Sequence, residues 1–110
     1  MRSPRSLSGK SQFAAVFAEG RRARSDGLTV WALSQPAESG TRLGLSVGTS
    51  AGGAIARNRM RRRLRAIVRI NPLSPADVVV RADRHTVLLS FQELEKHLLA
   101  ALARVGAGES

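Results

Sequence analysis

The sequence predicts an α/β fold, a two-layer α+β sandwich in which a small sheet packs against helices. Segments with helical and strand-like apolar spacing alternate in the order helix, two strands, helix, strand, helix. The strand-helix-strand unit from Leu43 to Val80 requires a crossover that joins parallel strands. The chain has 110 residues, no internal repeat and no long linker, so we expect a single domain spanning residues 1–110.

A short N-terminal helix is predicted over residues 9–19. Its apolar residues recur at i, i+3 and i+4, at positions Phe13, Val16 and Phe17. Gly20 follows at the position where a C-cap glycine ends many helices. Residues 1–8 are polar and basic, and we expect them to form a loose basic arm.

Two strands are predicted after this helix. Residues 28–33 lack charge and are rich in strand formers, and residues 43–47 alternate apolar and small side chains. The segment between them contains Pro36 and Gly40, which favour turns. The two strands are therefore predicted to form a hairpin.

The second half predicts a helix, a buried strand and a final helix. Residues 56–69 have helical spacing, and the continuous apolar run after Asp77 indicates a strand covered on both faces. Ser90 and Glu93 have the spacing of a capping box at the start of the last helix. The remaining segments are predicted to form an additional strand at 86–89 and a frayed tail at 106–110.

The charge balance is the outlier in the composition. Lysine and arginine number 18 against 8 acidic residues, which gives a formal net charge of +10. A polyanion is the expected partner of such a surface. The chain has no cysteine and 2 histidines, which excludes disulfides and thiolate zinc sites. It also lacks a run of about 18 apolar residues, so we expect a cytoplasmic protein without membrane contact.

Arginine dominates the predicted middle helix, where no residue is acidic. With about 100° per residue, one sector is apolar, at Met60, Leu64, Ile67 and Val68. The opposite sector is polar and cationic, at Asn58, Arg61, Arg62, Arg65 and Arg69. A solvated face is the simplest explanation of a charge run, but such faces usually interleave Glu with Arg. Nucleic acid is the favoured partner, because each phosphate contact releases counterions.

The aromatic residues allow two interpretations, and the histidines and glycines give no sign of an active site or a cofactor site. Phe13, Phe17 and Trp31 can serve the core, or they can form a surface on which unpaired bases stack. The sequence offers no nucleophile–base pairing for His85 or His97 and no carboxylate pair near the basic helix, which disfavours catalysis by the chain itself. Its glycines do not form a Walker or Rossmann spacing, so no small-molecule cofactor is expected.

Two motifs resemble the protein subunit of bacterial ribonuclease P. Arg42-Leu-Gly-Leu-Ser-Val47 is similar to the family's R-x-G-x-S-V strand, and Ala54 to Arg65 is similar to its A-V-x-R-N-R-x-K-R-x-x-R helix. Upstream, Phe13 to Gly20 resembles the family's F-x-x-V-[FY]-x-x-G helix. The resemblance runs from about Leu7 to Arg104 and is most specific at Arg57-Asn58-Arg59.

The resemblance implies an αβββαβα order with a left-handed β–α–β crossover. It implies an RNA-binding subunit of ribonuclease P, the endoribonuclease that removes the 5′ leader from precursor tRNA. Catalysis is then expected in the catalytic ribonuclease P RNA with bound Mg²⁺, and no cofactor is expected on the protein alone. The protein is expected to bind the precursor tRNA leader and to stabilise the active RNA structure.

The resemblance also implies a set of RNA-binding residues and no catalytic residue in this chain. A leader cleft is expected to be lined by Phe13, Phe17 and Trp31. The middle helix is expected to supply a basic wall, at Arg57, Asn58, Arg61, Arg62 and Arg65. Arg59 is expected to face the catalytic RNA. The remaining members of the predicted set are Arg42, Ser46 and Arg69.

One loop departs from the family pattern. The family usually has S-K-K where this chain has Gly48-Thr49-Ser50, so two cations are missing there. Arg63, where many members carry an uncharged residue, is the candidate replacement for part of the lost charge.

Two rival hypotheses stay open at the level of sequence. A general DNA-binding or ribosome-associated module would explain the charge without a role in tRNA processing. A stand-alone nuclease is disfavoured by the missing carboxylate pair.

Overall fold

The computed structural model describes residues 4–108, and residues 1–3 and 109–110 lie outside this range. The strands within it are β1 (Arg5–Ser6), β2 (Arg21–Ser25), β3 (Leu28–Ser34), β4 (Arg42–Val47) and β5 (Ala76–Ala82). The α-helices are α1 (Gly9–Glu19), α2 (Ala54–Ile70) and α3 (Phe91–Arg104). Short 3₁₀ helices occupy Ala37–Ser39, Thr49–Ala51 and Arg84–Leu88. The αβββαβα order is confirmed, and β1 precedes it as an additional strand.

The strands form one mixed sheet in the order β1-β4-β5-β3-β2. β4 lies parallel to β1 and to β5, whereas β3 is antiparallel to β5 and to β2. Because α2 connects the adjacent parallel strands β4 and β5, the predicted crossover connection is confirmed. Val78, Val79 and Val80 of the central strand β5 are fully buried, as their continuous apolar run predicts.

The predicted hairpin between the strands at 28–33 and 43–47 is wrong, because β5 lies between β3 and β4. β3 forms its hairpin with β2 through the turn Asp26-Gly27. The φ angles of these two residues are 46° and 86°, and a type I′ turn requires positive φ at both positions. The sequence prediction missed β2 because its residues, RRARS, have no apolar alternation.

Helices cover both faces of the sheet. α2 and α3 pack on one face, in a core that includes Leu28, Val30 and Leu43. α1 packs on the other face, where Val16 clusters with Trp31. The predicted α+β packing of a small sheet against helices is confirmed. The number of layers differs from the expected two, because α1 covers the opposite face and the sheet therefore lies between two helical layers.

Both predicted loose ends are ordered where the structure describes them. The prediction of a loose arm at 1–8 is wrong for the second half of that segment, because Arg5 pairs with Arg42 across the β1–β4 ladder and Leu7 is buried. Residues 1–3 of that arm lie outside the described residues. The frayed tail at 106–110 is wrong for 106–108, because Ala107 is buried and its carbonyl oxygen accepts a hydrogen bond from the Ser74 amide at 3.0 Å. Residues 109–110 lie outside the described range.

The start of α3 confirms one local prediction and corrects another. The Glu93 amide donates to the Ser90 hydroxyl at 3.1 Å, and the Ser90 amide donates to the Glu93 carboxylate at 2.9 Å, so the capping box is present. The strand predicted at 86–89 is wrong, since Arg84–Leu88 is a 3₁₀ helix. Asp83 caps that helix by accepting a hydrogen bond from the His85 amide.

Candidate nucleic-acid interface

α2 combines a buried apolar face with an exposed cationic one. Its buried residues are Met60, Leu64, Ile67 and Val68, as the helical spacing predicts. Its exposed arginines are Arg59, Arg62, Arg65 and Arg69. The apolar stripe fixes the helix on the sheet, and its orientation therefore presents the cations to solvent.

No carboxylate of the described residues forms an ion pair with an arginine of α2. Within residues 4–108, an ion pair joins Arg42 to Asp77, and the Asp26 carboxylate contacts His85 and His97. None of these pairs involves an arginine of α2. Like charges at i,i+4 on a helix destabilise it, so an anion that binds this face relieves the repulsion.

The N-terminal half of α2 holds part of the predicted basic wall in place. Arg61 donates to the side-chain oxygen of Asn58 at 2.9 Å and to the Val47 carbonyl oxygen, at the end of β4, at 3.2 Å. The Nε of Arg57 is buried and has no hydrogen-bond partner among the described residues. The two hydrogen bonds of Arg61 fix its guanidinium group near the C-terminal end of β4.

A groove of about 340 Å³ lies between α2 and β1. The helix lines it with Arg62, Arg65 and Arg69, and the strands contribute Ser6 and Leu43. With 1.5 Å of rise per residue, Arg62 and Arg69 are about 10 Å apart along the helix axis. Because guanidinium groups bind phosphate bidentately, this row suits a nucleic-acid backbone. The groove exists because β1 pairs with β4, which the sequence prediction did not include.

The predicted aromatic residues cluster on the sheet face that α1 covers. The rings of Phe17 and Trp31 meet edge to face, with centroids 4.9 Å apart, and Phe13 lies 6.3 Å from Phe17. Gly44 allows this packing, since a Cβ atom there would lie 2.6 Å from the Phe13 ring. Trp31 is only 8% exposed, whereas Phe17 is 41% exposed. Phe17 is therefore the ring that offers a free face for stacking.

Two arginines that the sequence prediction missed complete this aromatic cluster. The guanidinium carbons of Arg22 and Arg81 lie 5.8 Å and 5.0 Å from the centroid of the Trp31 ring, within the range of cation–π contacts. We call the surface formed by Phe17, Trp31, Arg22 and Arg81 the aromatic cleft. Arg22 was missed together with β2. Arg81 follows Val79 by two residues, and this spacing places both on one strand face once β5 extends to Ala82.

The strand register adds a polar row beside the aromatic cleft. Ser46 of β4 pairs with Arg81, Arg81 pairs with Thr29, and Thr29 pairs with Arg24 of β2. Paired residues of neighbouring strands point to the same face of a sheet, so these side chains share the face of Trp31. Ser46 is half-buried on this face, and its predicted RNA contact stays a prediction.

Arg42 has a different environment from the other predicted RNA-binding residues. It donates two hydrogen bonds to Asp77, and this bond to the carboxylate raises the pKa of its guanidinium. Its charge is matched by an internal partner, so the structure gives Arg42 a role within the sheet. The predicted RNA contact of Arg42 stays a prediction.

The structure divides the predicted site between two surfaces. The aromatic cleft lies on the α1 face of the sheet, whereas the buried face of α2 packs on the opposite sheet face. Arg61 bridges the two regions, because its Val47 contact lies at a strand end that both faces share. The residues expected to line the leader cleft and those expected to form the basic wall therefore lie on two neighbouring surfaces.

The two histidines do not form a metal site. Both contact Asp26: His85 Nε2 lies 2.9 Å from its Oδ1 atom, and His97 Nε2 lies 3.2 Å from its Oδ2 atom. The Ser25 hydroxyl lies 3.0 Å from His97 Nδ1. Within residues 4–108, no group of three or more His, Cys, Asp or Glu side chains is arranged to hold a metal ion. None of the helices in this range has the length and apolar character that a membrane span needs.

These features define an RNA-binding protein of the α/β class, with a cationic helix and an aromatic cleft on a small mixed sheet. A sequence model of the ribonuclease P family matches residues 1–106. The chain belongs to the family of ribonuclease P protein components. The predicted role as RNA-binding subunit of this tRNA 5′ maturation endoribonuclease is confirmed, and family membership disfavours a general DNA- or ribosome-binding module.

Individual relatives agree with the family match. The ribonuclease P protein component of Gluconacetobacter diazotrophicus is 34% identical over 104 residues, covering 91% of this chain and 90% of the relative. The ribonuclease P protein component of Acidothermus cellulolyticus is 38% identical over 99 residues, covering 86% of this chain and 82% of the relative. The RNase P protein of Thermotoga maritima superposes with a TM-score of 0.78 at 25% identity, covering 91% of this chain and 96% of that chain. The Staphylococcus aureus protein, at 20% identity and a TM-score of 0.81 over 91% and 95% of the chains, supports the fold.

Proposed function

We propose that the two surfaces bind different RNA segments. The aromatic cleft binds the single-stranded 5′ leader of precursor tRNA, and the cationic face of α2 binds the ribonuclease P RNA. The observation that carries this proposal is the placement of Arg22 and Arg81 over Trp31, beside the exposed ring of Phe17. Rings next to cations are the chemistry of single-strand binding, whereas cations without rings suit the backbone of a structured RNA.

In the aromatic cleft, stacking and charge act on different parts of the leader. An unpaired base stacks on the exposed face of Phe17, a contact worth about 1–3 kcal/mol per base. Arg22 and Arg81 are held over Trp31 by its π face, and their outward N–H groups donate to leader phosphates. Neither contact reads a base edge, so the proposed binding tolerates many leader sequences.

The chemistry of cleavage belongs, in this proposal, to the ribonuclease P RNA and its bound Mg²⁺. The protein contributes positive charge, with a formal net charge of +10. Arginines along α2 replace counterions at RNA phosphates and reduce the repulsion between RNA segments. The RNA then reaches its active structure at a lower Mg²⁺ concentration.

Reconstitution with a bacterial ribonuclease P RNA at low Mg²⁺ tests the proposal. Cleavage of precursor tRNA is measured with and without the protein, for substrates with a long leader and with a single leader nucleotide. We expect stimulation of both substrates and a larger gain for the long leader. Equal gains would contradict leader binding, and no gain with either substrate would contradict the partnership with the RNA. Cleavage by the protein without RNA would support a stand-alone nuclease instead.

A matched pair of variants separates the aromatic cleft from general charge. Arg81→Gln removes a cation beside Trp31, and Lys96→Gln removes one from an exposed position of α3, which packs on the other sheet face. We expect Arg81→Gln alone to lower the extra gain of the long leader. Equal effects of the two variants would indicate that only net charge matters.

A further inference from the structure

Exposed apolar side chains gather at the N-terminal end of α2. A groove of about 600 Å³ lies between the start of this helix and the 3₁₀ helix Arg84–Leu88. Ile55, Met60 and Val87 line it, together with the backbone of Gly53. Ile55 is 87% exposed, and Leu88, next to Val87, is 79% exposed. Surface clusters of this kind mark binding sites more often than single exposed apolar residues do.

The rim of this apolar groove is cationic. Arg59 and Arg63 line it, and no acidic side chain does. Arg63 donates to the Leu89 carbonyl oxygen at 3.2 Å, which holds its guanidinium between α2 and the segment after the 3₁₀ helix. Ile55, Arg59 and Arg63 follow each other at intervals of four residues, so they form one stripe along the helix. This stripe lies on a different flank of α2 from the Arg62, Arg65 and Arg69 row beside β1.

We propose that this apolar groove receives an unpaired nucleotide of the ribonuclease P RNA, with the base on Ile55 and Val87 and the phosphate at Arg59. A nucleotide joins a flat apolar surface to a negative charge, which is the combination that this groove complements. The inference rests on the proposed function, because it extends the RNA contact of α2 from the β1 flank to the opposite flank. A second copy of the chain fits less well, since two molecules of charge +10 repel each other.

The test uses serine substitutions on the groove and one matched control. Ile55→Ser and Val87→Ser remove exposed apolar contacts, and Ile70→Ser does so at the far end of the same helix, where Ile70 is 51% exposed and lines no part of the groove. Binding to a bacterial ribonuclease P RNA is measured over a range of salt concentrations. We expect about tenfold weaker binding for each groove variant, an unchanged log–log salt slope, and less than a twofold change for Ile70→Ser. Urea unfolding of each variant verifies that folding is intact.

Chemical probing locates the nucleotide. We expect one or a few unpaired nucleotides of the RNA to be protected by the wild-type protein and by Ile70→Ser, and to lose protection with Ile55→Ser. Wild-type affinity and protection in both groove variants would overturn the inference while leaving the proposed function intact. Failure of the wild-type protein to bind the RNA would overturn both. Self-association of the free protein that Ile55→Ser abolishes, without any loss of RNA binding, would assign the groove to a second copy.

Discussion

Arg42 donates two hydrogen bonds to the buried carboxylate of Asp77, at 2.8 Å from Nε and 2.6 Å from Nη2. The two residues are register partners on the neighbouring parallel strands β4 and β5. Gln35 adds a weaker bond to the same carboxylate at 3.3 Å. An arginine that the sequence motif places in an RNA-binding set thus stabilises the centre of the sheet.

Arg42→Gln is predicted to destabilise the fold, because it leaves the Asp77 carboxylate buried without its cation. Breaking a buried ion pair costs about 3–5 kcal/mol, and the partial exposure of Arg42 places the expected loss toward about 2–3 kcal/mol. Urea unfolding measures it. The double variant Arg42→Met with Asp77→Leu is the control, since an apolar pair of similar size should recover most of the loss. Unchanged stability together with weaker RNA binding in Arg42→Gln would instead assign Arg42 to the RNA interface.

Phe17→Ala is predicted to weaken binding of a single-stranded RNA leader without changing the salt slope. The variant removes an exposed ring and no charge, so about 1–3 kcal/mol of stacking is lost while the number of phosphate contacts stays the same. Arg81→Gln is the complementary variant, and it should reduce the log–log slope by about 0.7. The chain has a single tryptophan, so the fluorescence of Trp31 reports leader binding directly. A slope change in Phe17→Ala, or none in Arg81→Gln, would contradict the assignment of stacking and charge within the aromatic cleft.

The elements that the sequence predicts well are those whose packing repeats along the chain. α2 and α3 have apolar stripes, and β5 has an uninterrupted apolar run, so periodicity identifies each of them. The partners of each strand are not predicted in this way. Nothing local in β3 or β4 records that β5 inserts between them, because pairing of distant segments is decided by the whole sheet. Asp26-Gly27 is the local signal that could have identified the β2–β3 hairpin.

The site residues likewise divide into those that helical spacing predicts and those that depend on strand pairing. Helical spacing locates the exposed arginines of α2, because those positions follow from the apolar stripe opposite them. Arg22 and Arg81 become site residues only through the register of three strands, which places them beside Trp31. The bond between Arg42 and Asp77 is hidden from the sequence for the same reason, since the two residues are 35 positions apart. Contacts across a sheet are therefore the part that the sequence alone does not reveal.

Glu93→Ala is predicted to lower stability at neutral pH but not in acid. Hydrogen bonds from the Ser90 amide and hydroxyl hold the pKa of the Glu93 carboxyl below its ordinary value. A lowered folded-state pKa means that the stabilisation is present above the unfolded-state pKa of about 4.3 and is lost as the pH falls through the folded value. The urea midpoints of Glu93→Ala and wild type should therefore converge below about pH 4. Glu38→Ala, at an exposed position, is the control, and a gap that persists in acid would contradict the role of the ionised carboxylate.

Arg65→Glu is predicted to stabilise the free protein while weakening its binding to ribonuclease P RNA. Arg65 is exposed on the groove beside β1, with Arg61 four residues before it and Arg69 four residues after it. A glutamate there removes two repulsive i,i+4 pairs and creates an attractive one with Arg69, worth about 0.5–1 kcal/mol together.

The same change removes a phosphate contact and adds a negative charge, so the salt dependence of RNA binding should also decrease. Urea unfolding and RNA titration measure the two effects, and Arg65→Gln, which removes the charge without creating attractive pairs, should fall between wild type and Arg65→Glu in both. A variant that unfolds at the wild-type midpoint would show that the arginines of α2 do not repel one another appreciably. A variant that binds RNA as tightly as wild type would show that the flank of α2 beside β1 does not contact the RNA. If stability rises as affinity falls, RNA binding rather than folding explains why α2 carries arginine at these positions.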